Sequence, residues 1–443
     1  MFYLALLLTK ILVRGLYIKG DSIVKKVIGW SLGIYLIFGL FIAWYLFFGA
    51  NTDIPAQLKG SPADPQTFMN NRELLLSEEY SQIRNLLFFL SVPFEWLIYI
   101  LVLVIGISAK FRDWSKVSAK FSILQTAIYL FWLSLLVEVL SFPLSWISYN
   151  VSKTYNITVQ TTQSWMKDLL IDFWVNYALM IVIVGVLFWL IRRNEKRWWF
   201  HAWLLSIPFS MFLMFVQPVI IDPLYNDFFP LTNKELETKI LEMADRAEIP
   251  ADHVFEVNMS EKTNALNAYV TGIGSNSRIV LWDTTLQRLS EDEILFIMAH
   301  EMGHYVMKHI YIGIAGYLLL TLVGLFMISK LMSFMVRKWG QLFKITSVKD
   351  IAVLPVFLLL ISVLSFVSDP VSNAVSRHQE KSADLYALEM TEDNKAAVSS
   401  FQELSKAGLS QVNPPFLVKM FRYGHPTMLE RITYTNEFEK NEK

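Results

Sequence analysis

The sequence contains no cysteine. That excludes disulfides, thiol nucleophiles and cysteine-ligated zinc, so any metal site must be built from histidine and carboxylate. Histidine is itself scarce, at seven of 443 residues. Charge is sparse too: Asp, Glu, Lys and Arg make up 18% of the chain, against about 25% in ordinary soluble domains. Lys+Arg and Asp+Glu cancel at 39 each, which gives no basis for a nucleic-acid partner. There is no internal repeat, no low-complexity segment and no Gly/Ser linker between soluble and apolar parts. One integrated architecture is therefore expected.

Apolar residues take the place of charge, at 54% of the chain with a mean hydropathy of +0.40. They gather in seven tracts, near 27–49, 86–108, 121–147, 170–191, 199–220, 311–333 and 352–369. Crossing a bilayer takes roughly 20 such residues. Trp198, Trp199 and Tyr311 sit at tract ends, where an amphipathic ring suits the membrane interface. Buried helices of a large soluble protein are seldom so long and uninterrupted. The opening "MFYLALLLTKILVRGLY" is short and broken by Lys10 and Arg14. It reads as an interfacial helix or N-terminal extension. The expected fold class is mainly α, a multi-pass membrane protein with about seven transmembrane helices and a small α/β cap.

Four regions follow from this pattern. Residues 1–221 form a membrane bundle, spans one to five, with a polar loop near 50–85. Residues 222–310 form a cap, 311–369 hold spans six and seven, and 370–443 form a C-terminal polar region. Within 222–310, "LTNKELETKILEMADRAEIP" is expected to start a helix with Thr232 as N-cap and Glu235 three residues on. "HVFEVNM" and "SRIVLWD" read as short strands and "NAYVTGIG" as a third strand or edge segment. Ser290 and Glu293 make a second capping box, which opens the helix "FIMAHEMGHYV".

That helix carries His300 and His304, four residues apart and so on one face, where two imidazoles can bind one metal ion. Glu301 is turned about 100° from His300 and can reach a water without being a ligand. This is the chemistry of a zinc hydrolase: zinc acidifies water to a pKa of about 7 and polarises the carbonyl under attack, while Glu301 moves the proton. The competing reading of three residues alone is a helix with two satisfied histidines. A catalytic zinc needs a third ligand and an open position. The third is sought in "SNAVSRHQEKSADLYALEM", where Glu380 and Asp384 share a helix face. Glu380 could bind zinc, and Asp384 could hold the far nitrogen of a ligand histidine. The alternative there is a solvated charged face. His378 competes as a ligand but faces elsewhere, and His309, five residues past His304, reads as an interfacial histidine. His425, held before Pro426, could donate to an oxyanion. His201 and His253 have no such context.

The motifs "NAYVTGIGSNSRIVLWDT", "AHEMGHYVMKH", "NAVSRHQEKSAD" and "HPTMLERI", in this order, resemble those of the type I CAAX prenyl protease family of integral-membrane zinc metallopeptidases. The resemblance runs from "IPAQLKGSPADPQTFMNNR" to "HPTMLERI". It implies seven helices around an internal chamber and one zinc per chain, held by His300, His304 and Glu380. It makes Glu301 the catalytic base, Asp384 the acid behind the ligands, Arg377 an arginine supporting the glutamates and His425 the histidine on the scissile carbonyl. Asn267 and Ala268 match the edge segment that aligns substrate backbone as an added strand. The implied partners are a peptide or lipidated protein substrate and membrane lipid. The implied location is a bacterial plasma membrane or an endoplasmic-reticulum-type membrane, and the oligomeric state is left open. The bacterial heat-shock membrane metalloproteases are also similar, with fewer spans.

Two further expectations remain. The short loops 109–120, 192–198 and 334–350 are basic, and the positive-inside rule puts them in the cytoplasm with the cap opposite. The eukaryotic members of the resembled family face their cap to the cytosol. The rival function is a lipid- or peptide-binding or transport protein with a structural zinc. Glu301 argues against it, because a structural site has no need of a base.

Overall fold

In the computed structural model, the structure describes residues 22–251, 253–271 and 278–441. The N-terminal interfacial helix lies outside these residues, as does the end of the "NAYVTGIG" segment. Among the described residues, seven helices are long and apolar enough to cross a membrane: Ser22–Gly49, Asn71–Val104, Ser122–Thr154, Thr162–Arg193, Trp198–Leu224, His309–Phe343 and Ile351–Thr391. We call them spans one to seven. Their outer faces are apolar: Trp30 is 72% exposed and Leu319 62%. Water would penalise such a belt, and lipid does not.

Most spans outrun the apolar tracts that announced them, because polar turns continue the helix beyond the hydrocarbon layer. Span two starts at the capping box of Asn70 and Glu73, well before its apolar run. Span seven is the clearest case. Its helix Leu354–Thr391 passes through Pro370 without a break and carries Glu380 and Asp384 at its far end. One rigid rod therefore joins the membrane bundle to the cap.

The loops between spans two and three, four and five, and six and seven meet at one end of the bundle. Arg112 pairs with Asp350 at 2.5 Å and donates to the Lys344 carbonyl at 3.1 Å. Lys349 lies 3.5 Å from Glu195. The cap is at the other end. Its sheet has the order β1–β2–β4–β3, with β1 Phe228–Pro230, β2 Val254–Val257, β3 Ala268–Thr271 and β4 Arg278–Trp282. β2 and β4 are parallel and the outer pairs antiparallel. β3 is an edge. The short β1, which no alternating pattern announced, is recruited by pairing with β2.

The cap core draws on three stretches of chain. Ala63 and Met69 from the first polar loop pack with Leu236, Ile240 and Ile294, and with Phe401 and Ile432 from the C-terminal region. One sequence expectation fails locally. The helix Lys234–Arg246 is capped by Asn233, whose side chain accepts from the Leu236 amide. Thr232 instead gives its amide and hydroxyl to Glu256 of β2. The sheet outbids the helix for it.

Candidate metal centre

The site is built where the helix Glu291–Val306 crosses span seven. The helix starts at the expected capping box: Ser290 accepts from the Glu293 amide and Glu293 from the Ser290 amide. Glu293 also accepts from Ser399, which ties the helix start to the neighbouring helix Asn394–Ala407. His300 and His304 follow on one face. Gly303 lies between them on the side that meets span seven. A Cβ there would stand 3.1 Å from the Tyr386 ring and 3.2 Å from the Ala383 Cα. Glycine therefore lets the two backbones approach, and Glu380 reaches the histidines.

The three side chains converge. His300 Nε2 lies 3.2 Å from His304 Nε2. Glu380 Oε2 is 3.2 Å from His300 Nε2, and Oε1 is 3.3 Å from His304 Nε2. Donor atoms bound about 2.1 Å from one tetrahedral ion would be about 3.4 Å apart. The set therefore has the spacing of a three-ligand metal site. All three donor atoms fall within 4.8 Å of one another. Glu380 Oε2 is buried without an aligned hydrogen-bond donor, an arrangement that costs free energy unless a cation fills it. Two imidazoles and one carboxylate suit zinc among the borderline divalent metals.

Behind His300 stands Asp384, fully buried, with Oδ1 2.7 Å from His300 Nδ1. Arg431 grips that carboxylate with both arms, Nε to Oδ2 at 2.9 Å and Nη2 to Oδ1 at 2.5 Å. The Tyr434 hydroxyl donates to Oδ2 as well. The guanidinium lies 4.2 Å from the centre of the Phe401 ring. Sequence reading missed Arg431 and Tyr434. They lie 47 and 50 residues from Asp384 on another helix, and the only sign was an arginine inside "HPTMLERI".

A cavity of about 340 Å³ opens beside these donor atoms, lined among others by Asn267, Ala268, His300, Glu301, His425 and Arg431. Burial pushes the Glu301 carboxyl pKa above its ordinary value, against the pull of the histidines. His425 Nε2 sits 3.3 Å from Glu380 Oε2 on the open side, its side chain 63% exposed. Thr285 and Trp282 take up the backbone of Asn267. That secures the start of β3 beside the cavity, and no strand among the described residues pairs with its outer edge.

Two readings need correction. Arg377 makes no ion pair with a glutamate among the described residues. It donates to the carbonyls of Lys419 at 3.0 Å and Tyr423 at 2.7 Å, just before Gly424 and His425. Its contact is with the loop that presents His425, and the buried carboxylate is served by Arg431. His309 is the first residue of span six, but its ring does not face outward. It is 9% exposed, and its Nδ1 lies 3.0 Å from His304 Nδ1. The helix is interrupted at Lys308 (φ 58°) before span six begins, so spacing along one continuous helix no longer applies. His378 is exposed and outside the cluster.

Comparison with known proteins agrees with this architecture. Residues 230–438 match the model of Peptidase family M48, and residues 45–227 match the CAAX prenyl protease N-terminal domain of five membrane helices. A Bacillus subtilis protein named "Uncharacterized metalloprotease YhfN" is 56% identical over 91% of this chain and 95% of its own length. CAAX prenyl protease 1 of Saccharomyces cerevisiae is 28% identical over 72% of this chain and 74% of its own. The crystal structure of Ste24p from S. mikatae shares the fold, with a TM-score of 0.77 at 22% identity, over 94% of this chain and all of that one. The chain thus belongs to Peptidase family M48 and is a multi-pass integral-membrane metalloprotease related to CAAX prenyl protease 1.

Proposed function

We propose that this protein is a zinc endopeptidase that cuts short hydrophobic or lipidated peptide segments beside the membrane. The observation that carries it is the near-equal spacing of His300, His304 and Glu380, with Glu301 on the adjoining cavity. His300, His304 and Glu380 would hold the ion, which supplies Lewis acidity and a more acidic water. Glu301 takes the proton of the attacking water and returns it to the leaving amine. His425 donates to the oxygen that gains charge as the carbonyl is attacked. The free edge of β3, beginning at Asn267 and Ala268, pairs with extended substrate backbone. Main-chain pairing holds a peptide without reading its side chains, so the apolar surroundings select for hydrophobic or lipid-bearing segments.

The test uses purified protein in detergent and two peptide sets, one farnesylated at a C-terminal CAAX box and one plain and hydrophobic. Cleavage of the farnesylated set alone assigns prenyl-protein processing. Cleavage of both assigns turnover of hydrophobic peptides. Bound zinc with no cleavage of either set would move the protein to the binding or transport reading.

We further infer that the cap faces away from the cytoplasm. The three short basic loops are tied together at the opposite end of the bundle, and positive short loops stay inside. The lack of cysteine makes this simple to check. In intact bacterial cells, a membrane-impermeant maleimide should label Glu242→Cys in the cap and leave Lys196→Cys unlabelled until the cells are opened. The reverse pattern would put the cap in the cytoplasm.

A further inference from the structure

The fourth histidine of this neighbourhood has no task in the mechanism above, yet it is buried against a ligand. A continuous helix would turn His309 about 140° away from His304. Lys308 prevents this by adopting φ 58° and ψ 32°, a left-handed conformation that residues with a side chain rarely take. The motif helix ends at Val306, span six starts at His309, and the break swings the His309 ring back. Its Nδ1 arrives 3.0 Å from His304 Nδ1, with the ring centres 5.0 Å apart and the planes at 71°.

A neutral imidazole carries one N–H, and here its place is determined. His304 Nε2 faces His300 Nε2 and Glu380 Oε1, where a metal ligand must offer a lone pair. The hydrogen of His304 is therefore on Nδ1. Among the described residues the one acceptor within hydrogen-bond reach of it is His309 Nδ1, which leaves the His309 hydrogen on Nε2. We propose that His309 is a positioning residue: it accepts from the His304 Nδ1–H and so fixes the tautomer and ring angle that leave Nε2 free for the metal. The inference rests on the reading of His304 as a ligand.

The two ligand histidines are then supported differently. His300 is backed by the Asp384 carboxylate, itself held by Arg431. His304 is backed by a neutral ring. Glu301, Glu380 and Asp384 already bring three carboxylates to this small buried volume. A neutral acceptor orients His304 without adding a fourth negative charge, which like-charge repulsion and desolvation would penalise.

The test is the zinc affinity of the full-length protein in detergent, measured by competition with a chromogenic chelator. No turnover is involved. His309→Met keeps an apolar filling but removes the acceptor, and zinc affinity should fall about 10–100-fold. His309→Asn places Oδ1 where Nδ1 stood and should stay within about threefold of wild type, since the acceptor is restored. If His309→Met binds zinc as tightly as wild type, the proposal is overturned. It is equally overturned if His309→Asn loses as much affinity as His309→Met, because the acceptor would then not be the cause. Should His309→Met fail to fold, the Asn variant decides alone: near-wild-type affinity supports the role and a tenfold loss ends it. His304→Ala separates the premise from the proposal. Unchanged affinity there removes the ligand reading, whereas loss there with full affinity in His309→Met removes only the positioning role.

Discussion

Glu301→Gln should lower kcat on any peptide the protein cuts by a factor on the order of 10² to 10⁴ while leaving zinc content unchanged. The carboxamide has the shape of the carboxylate but cannot take a proton near neutral pH. Glu301 lies on the cavity and is outside the donor set of His300, His304 and Glu380, so the metal should stay. Steady-state kinetics and metal analysis on the same sample check both halves. Activity within about fivefold of wild type would remove Glu301 from the proton transfer. Loss of zinc along with activity would instead give it a part in holding the ion.

Replacing Arg431 should have the largest effect on stability. Asp384 is fully buried, and Arg431 supplies both arms of its main ion pair. Arg431→Met would leave a buried carboxylate without its arginine partner, with only Tyr434 and His300 beside it, at a cost of about 3–5 kcal/mol. Asp384 would no longer be clamped in line with His300 Nδ1, so zinc affinity should drop about 10–100-fold. The double variant Asp384→Leu, Arg431→Met separates the two roles. Replacing both charges with apolar groups is often near neutral for stability, so thermal stability should largely return. Zinc affinity should not, because nothing then holds His300 Nδ1. A double variant as unstable as Arg431→Met would show that the packing of Arg431 on Phe401, rather than its charge, stabilises this corner.

The motif helix was legible because its signals are local. A capping box marks where the helix starts, and two histidines four apart need only helical geometry to share one face, with the glutamate about 100° round from the first. The spans were legible for a similar reason: a backbone in lipid must satisfy its own hydrogen bonds, so a long apolar run has few alternatives to a helix. Glu380 and Asp384 could be paired with the histidines only as a guess, although their own i,i+4 spacing was plain. Whether their helix would reach the first one depended on Gly303 and Ala383 allowing close contact, a fact of packing and not of either segment.

By itself, then, the sequence determined seven membrane helices, a histidine-and-carboxylate chemistry in the absence of cysteine, and a capped helix bearing the motif. Each follows from composition or from neighbours within about one helical turn. Only the tertiary structure decided that Arg431 and Tyr434 hold Asp384, that Arg377 serves the His425 loop, that Asn233 replaces Thr232 as a cap, and that His309 turns back to His304. The physical reason is common to all four. Each depends on which partner wins a hydrogen bond once distant segments are packed together, and that competition leaves no periodic trace in the chain.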